Sequence, residues 1–147
     1  MMQKLALALA GLLLSAAAAA AEAPPNVLGR WMTEGGKSHV QIYPCGPHLC
    51  GRIAWLREPN GKDGLAKVDL KNPDQAKRSQ RILGLVMLWN MAKAGDPGAW
   101  ESGRIYNPED GETYKATMTL RPDGKLRVRG YVGISLLGKS QFWERVR

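Results

Sequence analysis

The chain has 147 residues, of which 21 are lysine or arginine and 13 are aspartate or glutamate, so its formal net charge at pH 7 is +8. This length suits a single domain with one hydrophobic core and is too short for a multidomain enzyme. Five tryptophans and four tyrosines are scattered singly among short apolar runs, a composition that excludes collagen, coiled coils and intrinsic disorder.

The N-terminus has the three parts of a secretory signal peptide. Lys4 supplies positive charge, residues 5–14 form a leucine-rich apolar run, and the small residues that follow end in Ala19-Ala20-Ala21. This arrangement predicts cleavage after Ala21, which leaves a domain of residues 22–147. The apolar run is too short to cross a bilayer comfortably. We therefore expect a soluble periplasmic or secreted protein, not an integral membrane protein.

Cys45 and Cys50 enclose a Gly-Pro turn between two strand-like runs. In an oxidising compartment such a pair is expected to form a disulfide that staples a hairpin. Free thiols and a metal site are the alternatives. His39 and His48 could join the two sulfurs, although zinc ligands are more usually spaced as two short pairs on separated segments. We predict the disulfide, with no metal and no cofactor.

Apolar and polar residues alternate over short runs with turn residues between them, a pattern typical of all-β proteins. It predicts eight strands: Gly29–Thr33, Ser38–Tyr43, Leu49–Leu56, Leu85–Met91, Trp100–Tyr106, Thr113–Leu120, Lys125–Val132 and Ser140–Val146. Hairpin signals such as Pro122-Asp123-Gly124 link most of them in sequence order. This order favours a single up-and-down antiparallel barrel. A two-sheet sandwich is the alternative.

The long segment between the third and fourth predicted strands, residues 57–84, lacks strand character. Within it, Asn72-Pro73-Asp74 is a helix-start signal, with Asn as the N-cap, Pro at the first position and Asp near the positive end of the helix dipole. We expect a short helix here that covers one end of the barrel. Connections of this length are often functional, and a structural plug is the alternative.

The first and last strands carry a short aromatic and basic pattern. Gly29-Arg30-Trp31 opens the first strand, and Trp143-Glu144-Arg145 lies on the last. The pattern resembles that of lipocalins and other calycins, in which a G-x-W tryptophan packs at the barrel base and an arginine of the final strand lies across it. The resemblance implies a barrel-closure role for Gly29, Trp31 and Arg145 through a cation–π contact.

Further motifs extend the resemblance over the whole mature chain. They are Gly51-Arg52-Ile53-x-Trp55-Leu56, Asp69-x-x-Asn72-Pro73, Gly103-x-Ile105-Tyr106-x-Pro108 and Leu126-x-Val128-x-Gly130-Tyr131. These motifs resemble an exported bacterial family known as domain of unknown function 2147. The resemblance implies a lipocalin-like barrel in the periplasm or outside the cell. It implies no activity, because none is assigned to that family.

Recognisable catalytic motifs are absent from the sequence, which has no nucleophile elbow, P-loop, dinucleotide fingerprint or H-E-x-x-H zinc motif. His39 and His48 are the two candidates for a base at neutral pH, and His39 lies on an alternating strand, where a solvated or hydrogen-bonded histidine is expected. The acidic run from Glu109 to Glu112 is expected to be a solvated turn. We therefore do not expect an enzyme.

A binding function has more support, because an arginine and several aromatic residues fall on separate strands. These candidate ligand-binding residues are Trp55, Trp89, Trp100, Arg104, Tyr106 and Tyr114. Alternation places Trp100, Arg104 and Tyr106 on one face. If that face points inward, Arg104 needs an anionic partner, and the barrel would hold an acyl or aromatic acid. If Gly103 and Ile105 point inward instead, Arg104 is in solvent and the aromatic residues serve packing.

The positive charge supports a second hypothesis. Lys125, Arg127 and Arg129 alternate along one strand as an outward basic stripe. In an exported protein this stripe suggests an anionic envelope component as partner rather than nucleic acid. The sequence thus predicts a barrel that binds a small, partly apolar and anionic molecule, with a filled barrel that acts as an envelope interaction module as the alternative. A filled interior would favour the second hypothesis, and the first would be favoured by a cavity bordered by Trp55, Trp100 and Tyr114.

Overall fold

The computed structural model describes residues 26–133 and 138–147, together with Gly11, and eight strands of these residues form a closed barrel. The strands are β1 (Gly29–Met32), β2 (Ser38–Cys45), β3 (His48–Leu56), β4 (Val86–Lys93), β5 (Ala99–Asn107), β6 (Glu112–Leu120), β7 (Leu126–Tyr131) and β8 (Lys139–Arg145). Each strand pairs antiparallel with the next, and β8 pairs with β1. The predicted up-and-down barrel is confirmed, and the sandwich alternative is wrong. The predicted signal peptide lies outside the described residues, apart from Gly11.

The seam between β1 and β8 is closed by Trp31 and Arg145, which lie opposite each other. Trp31 is fully buried, and its Nε1 donates a hydrogen bond to the carbonyl of Val27 at 2.8 Å. The Cζ of Arg145 lies 4.3 Å from the centroid of the Trp31 ring. Its guanidinium also donates to the carbonyl of Leu28 at 2.9 Å and to that of Asn26. The closure contact implied by the family resemblance is thus present.

Side chains fill the inside of the described barrel. The pairing of β5 with β6 shows which face points inward. On this face Gly103 lies opposite buried Ala116, and the core-packed Trp100 lies opposite buried Met118. Other buried apolar side chains include Trp31, Val40, Ile42, Ile53, Leu88, Met91, Leu126, Val128 and Trp143. The packing is tight enough that a β-carbon on Gly103 would overlap the Sδ of Met91. The middle of the barrel is therefore a packed core, not the cavity that the ligand hypothesis required.

The β3–β4 connection, residues 57–85, lies at the same end of the barrel as the β1–β2 and β5–β6 connections, because strand direction alternates. The predicted helix is reduced to one 3-10 turn, Gln75–Lys77. Asp74 caps it and accepts a hydrogen bond from the backbone N–H of Ala76 at 3.0 Å. The predicted cap, Asn72, instead donates its side-chain N–H to Asp69 at 2.9 Å.

At the opposite end of the barrel, a disulfide joins Cys45 and Cys50 across the β2–β3 hairpin, with 5.5 Å between the two Cα atoms. The predicted disulfide is confirmed. It also takes up both sulfur atoms that the metal alternative required. Within the described part of the chain, no helix is long and apolar enough to span a bilayer.

Candidate functional site

Strand β5 departs from the regular alternation that the sequence predicts. Its register with β6 shifts between Trp100 and Gly103. Ser102 adopts a φ of 61°, and Asn90 in the paired region of β4 has a φ of 57°. The side chain of Asn90 donates a hydrogen bond to the carbonyl of Ser102 at 3.1 Å. This bulge places Trp100 and Gly103 on the same inward face, although they are three positions apart.

Arg104 consequently lies on the outer surface of the barrel. It is half-buried, opposite Trp89 on β4 and Lys115 on β6. Its Nη1 donates to the carbonyl of Gly103 at 3.0 Å. Of the two orientations that the sequence left open, the structure has the outward one. The predicted shared face of Trp100 and Arg104 is wrong, because the bulge between them reverses the alternation.

Three of the predicted aromatic ligand residues lie in three separate places. Trp55 is 39% exposed and stacks on His39, with 4.4 Å between the ring centroids. Trp100 packs against the core. Tyr114 lies near the β5–β6 turn, where its hydroxyl donates to Asp110 at 2.5 Å. These aromatic side chains do not form one wall of a shared site.

The other two aromatic predictions, Trp89 and Tyr106, come together in a cleft of about 790 Å³ on the outside of the barrel. We call it the loop cleft, because the β3–β4 connection supplies most of its lining. Its lining residues are Asn72, Pro73, Asp74, Lys77, Gln80, Arg81, Leu83, Gly84, Leu85, Val86, Trp89, Tyr106 and Thr113. The volume is in the range of small-molecule sites, and the cleft is shallow and open to solvent.

The lining of the loop cleft combines apolar and basic side chains. Leu83 is 47% exposed and Val86 is 43% exposed, which is high for large aliphatic residues. Lys77 and Arg81 add two exposed cations to the same lining. Asp74 is the one carboxylate among the lining residues, and it caps the 3-10 turn. The arrangement suits a ligand with an apolar part and an anionic group.

A buried carboxylate fixes the connection against the barrel. Asp69 is fully buried and accepts hydrogen bonds from the hydroxyl of Tyr106 at 2.7 Å and from the side chain of Asn72 at 2.9 Å. Its backbone N–H donates to the carbonyl of Gln80 at 2.8 Å. Burial, and then the hydrogen bond to Asp69, raise the pKa of Tyr106 to about 12. These contacts hold one wall of the loop cleft in place.

The β5–β6 turn also supports the β3–β4 connection. Lys71 donates its Nζ to the carbonyl of Glu109 at 2.7 Å. A β-carbon on Gly111 would overlap the carbonyl oxygen of Lys71. Nearby, burial alone would raise the pKa of Asp110, but hydrogen bonds from Tyr114 and from the backbone hold it below its ordinary value. The acidic turn is therefore a structural support for the connection as well as a surface feature.

Sequence reasoning missed most residues of the loop cleft. Lys77, Arg81 and Leu83 lie in a segment with no strand or helix pattern, and the cleft exists because that segment folds back on β4 and β5. Asp69 was part of a recognised motif without an assigned role, and Asn72 was expected to cap a helix rather than to bind Asp69. An isolated acid three residues before Asn-Pro was the available signal for the anchor.

A second, smaller cleft of about 470 Å³ lies where the β1–β2 turn meets the outward side chains of β8. Its lining includes Met32, Phe142 and the ion pair of Lys125 with Glu144, whose charged atoms are 3.8 Å apart. It contains none of the predicted ligand residues. The loop cleft is therefore the better candidate site.

Comparison with known proteins agrees with the fold. The family model described as "Uncharacterized protein conserved in bacteria (DUF2147)" matches residues 29–145. A solved structure, protein HP1028 from the human pathogen Helicobacter pylori, described as belonging to the lipocalin family, superposes with a TM-score of 0.73 at 23% identity. The match covers 83% of this chain and 84% of that one, and at this identity it supports the fold alone. No curated protein matches the sequence. The chain belongs to the DUF2147 family of bacterial proteins, whose fold here is a lipocalin-like barrel.

Proposed function

We propose that this protein is an exported binding protein that holds a small, partly apolar anion in the loop cleft. The observation that carries the proposal is the presence of exposed Leu83 and Val86 beside Lys77 and Arg81 on one concave lining. An acyl chain or aromatic ring would cover the aliphatic side chains, and a carboxylate would contact the cations. Trp89 adds an aromatic surface to the same lining.

The proposal places the ligand outside the barrel, because packed side chains occupy the inside. Of the six ligand residues expected from the sequence, Trp89 and Tyr106 belong to the proposed site and the other four do not. The role is one of binding, with no catalytic step and no cofactor assigned. Export rests on the signal-like N-terminus and is consistent with the Cys45–Cys50 disulfide.

Titration with dodecanoate and with the neutral analogue dodecanol tests the proposal. We expect dodecanoate to quench tryptophan fluorescence, and Trp89→Phe to remove most of the change. The double variant Lys77→Gln/Arg81→Gln should weaken dodecanoate binding by about tenfold, since two ion-pair contacts are lost, and dodecanol binding by much less.

Lys62→Gln/Lys93→Gln is the matched control, because it removes the same charge from exposed positions outside the lining. Equal weakening in both double variants would assign the effect to net charge and would contradict the cleft. Native mass spectrometry of the purified protein adds an independent readout. Absence of binding to any member of a fatty-acid and aromatic-acid panel would also contradict the proposal.

A second candidate function is supported by the outer face of β7. Arg127 donates its Nε and Arg129 its Nη1 to the hydroxyl of Ser140, each at 3.1 Å. Two guanidinium groups, one exposed and one half-buried, thus converge on one hydroxyl of the outer sheet surface. Together with the packed barrel, this favours contact with an anionic envelope component such as a lipid head group or lipopolysaccharide.

Co-sedimentation with vesicles tests this second candidate. The protein should co-sediment at low salt with vesicles that contain anionic phospholipid, and it should not co-sediment with neutral vesicles. Arg127→Gln should reduce the co-sedimenting fraction by severalfold, whereas Lys62→Gln should have a smaller effect. An equal loss in Arg127→Gln and Lys62→Gln, or equal co-sedimentation with neutral vesicles, would contradict this second candidate function.

A further inference from the structure

The outer face of β1, β2 and β3 carries a row of polar side chains that the loop cleft does not use. Gln41 on β2 lies opposite Arg30 on β1 and opposite Arg52 on β3. Both arginines are exposed. Because neighbouring strands are just under 5 Å apart, the row spans about 10 Å across the sheet. The side-chain amide of Gln41 therefore has one arginine on each side.

Aromatic side chains flank this row on the same face. The Cζ of Arg52 lies 5.4 Å from the centroid of the Tyr43 ring. Trp55 is three positions after Arg52, and a register shift between β2 and β3 places it opposite outward-facing His39. It is 39% exposed and stacks on His39. Arginine, tyrosine and tryptophan are the residue types most enriched among the energetically dominant contacts of protein interfaces. The stacked and cation–π contacts also hold these side chains in place before any partner arrives.

The face has an unbalanced positive charge. None of the residues of β1, β2 and β3 is acidic. Glu144 on the adjacent strand β8 lies opposite Met32, and its carboxylate pairs with Lys125 at 3.8 Å. The counter-charge for Arg30 and Arg52 is therefore not supplied by the strands that carry them. This charge pattern is complementary to an acidic partner.

We propose that the outer face of β1–β3 is a docking surface for an acidic segment of a partner protein. Carboxylates of the segment pair with Arg30 and Arg52, Gln41 bonds to its backbone, and an apolar side chain covers Trp55. The described loop cleft and second cleft include none of these four residues. A sheet surface of this kind suits a protein segment, whereas small molecules bind in concave sites. The surface is independent of the loop cleft, so either assignment can fail alone.

Fluorescence anisotropy with a labelled peptide of alternating glutamate and glycine, containing one leucine, tests the proposal at low ionic strength. We expect binding by the full-length mature protein. Arg30→Gln/Arg52→Gln should weaken it by about tenfold, and Trp55→Ala by about fivefold. Circular dichroism verifies that each variant is folded.

Lys62→Gln/Lys93→Gln again removes the same charge from elsewhere, and it should change peptide binding by less than about twofold. Equal loss in the two double variants would overturn the proposal, because net charge alone would then explain binding. Polygalacturonate serves as the competing probe. If it bound more tightly than the peptide through Arg30 and Arg52, the partner would be an acidic polysaccharide and the assignment to a protein segment would be wrong.

Discussion

Arg145 lies across the ring of Trp31, with its Cζ 4.3 Å from the ring centroid, and so joins the last strand of the barrel to the first. The β1–β8 ladder is short, since it pairs Trp31 with Arg145 and Met32 with Glu144. The guanidinium extends the junction by donating to two carbonyl oxygens of the segment before β1, those of Leu28 and Asn26. The side-chain contact thus reinforces the seam where the backbone ladder is weakest.

Replacing Arg145 with alanine should lower the free energy of unfolding by about 1–3 kcal/mol, because it removes a cation–π contact and hydrogen bonds from a charged donor. Urea denaturation at neutral pH measures the change. Arg147→Ala, two residues beyond on the same terminus, is the control and should stay within about 0.5 kcal/mol of the wild type. A similar result for Arg145→Ala would show that the seam does not depend on this contact.

A β-carbon at position 103 should be poorly tolerated, because the Sδ of Met91 occupies that place. Gly103→Ala should cost about 1–3 kcal/mol, since Met91 is fully buried and has to move within a packed core. Gly95→Ala is the control, as nothing lies within 4 Å of its added carbon. Denaturant titration compares the two. If Gly103→Ala were as stable as the wild type, the barrel would have spare internal volume beside Met91.

The strand order was predictable because its signals are local, whereas the closure contact between Trp31 and Arg145 was expected from the family resemblance. Period-two alternation and hairpin turns such as Arg121–Lys125, where the backbone of Arg121 donates to the carbonyl of Lys125 at 2.9 Å, act over a few residues. Which side chains of β5 point inward was not predictable, because the bulge at Ser102 involves the pairing with β6 and a hydrogen bond from Asn90 on β4. The loop cleft was missed for the same reason. Its anchor joins Asp69 to Tyr106, 37 positions apart.

Asp69→Asn should loosen the β3–β4 connection, because Tyr106 and Asn72 donate to different oxygens of the carboxylate and the amide replaces one of these oxygens with an NH2 donor. A cost of about 1–3 kcal/mol is expected for the buried donor left unpaired. Hydrogen exchange should accelerate at the amide of Ile82, which donates to the carbonyl of Lys67, more than in β2 or β6. Asp96→Asn at an exposed turn is the control. Uniform acceleration over all strands would show that Asp69 supports global stability instead.

Stability should fall at alkaline pH through Tyr106, whose pKa is raised from 10.0 to about 12 by burial and by its hydrogen bond to Asp69. The unfolded chain releases this proton first, so the contribution is complete below pH 10 and is lost as the pH rises from 10 towards 12. The urea midpoint of the wild type should therefore decline more steeply over this interval than that of Tyr106→Phe, which has no hydroxyl to titrate. The difference in tyrosinate absorbance between the two folded proteins should rise with its midpoint near pH 12. If the two midpoints declined in parallel, or if the absorbance difference rose near pH 10, the hydroxyl of Tyr106 would not be held protonated by the buried Asp69 contact.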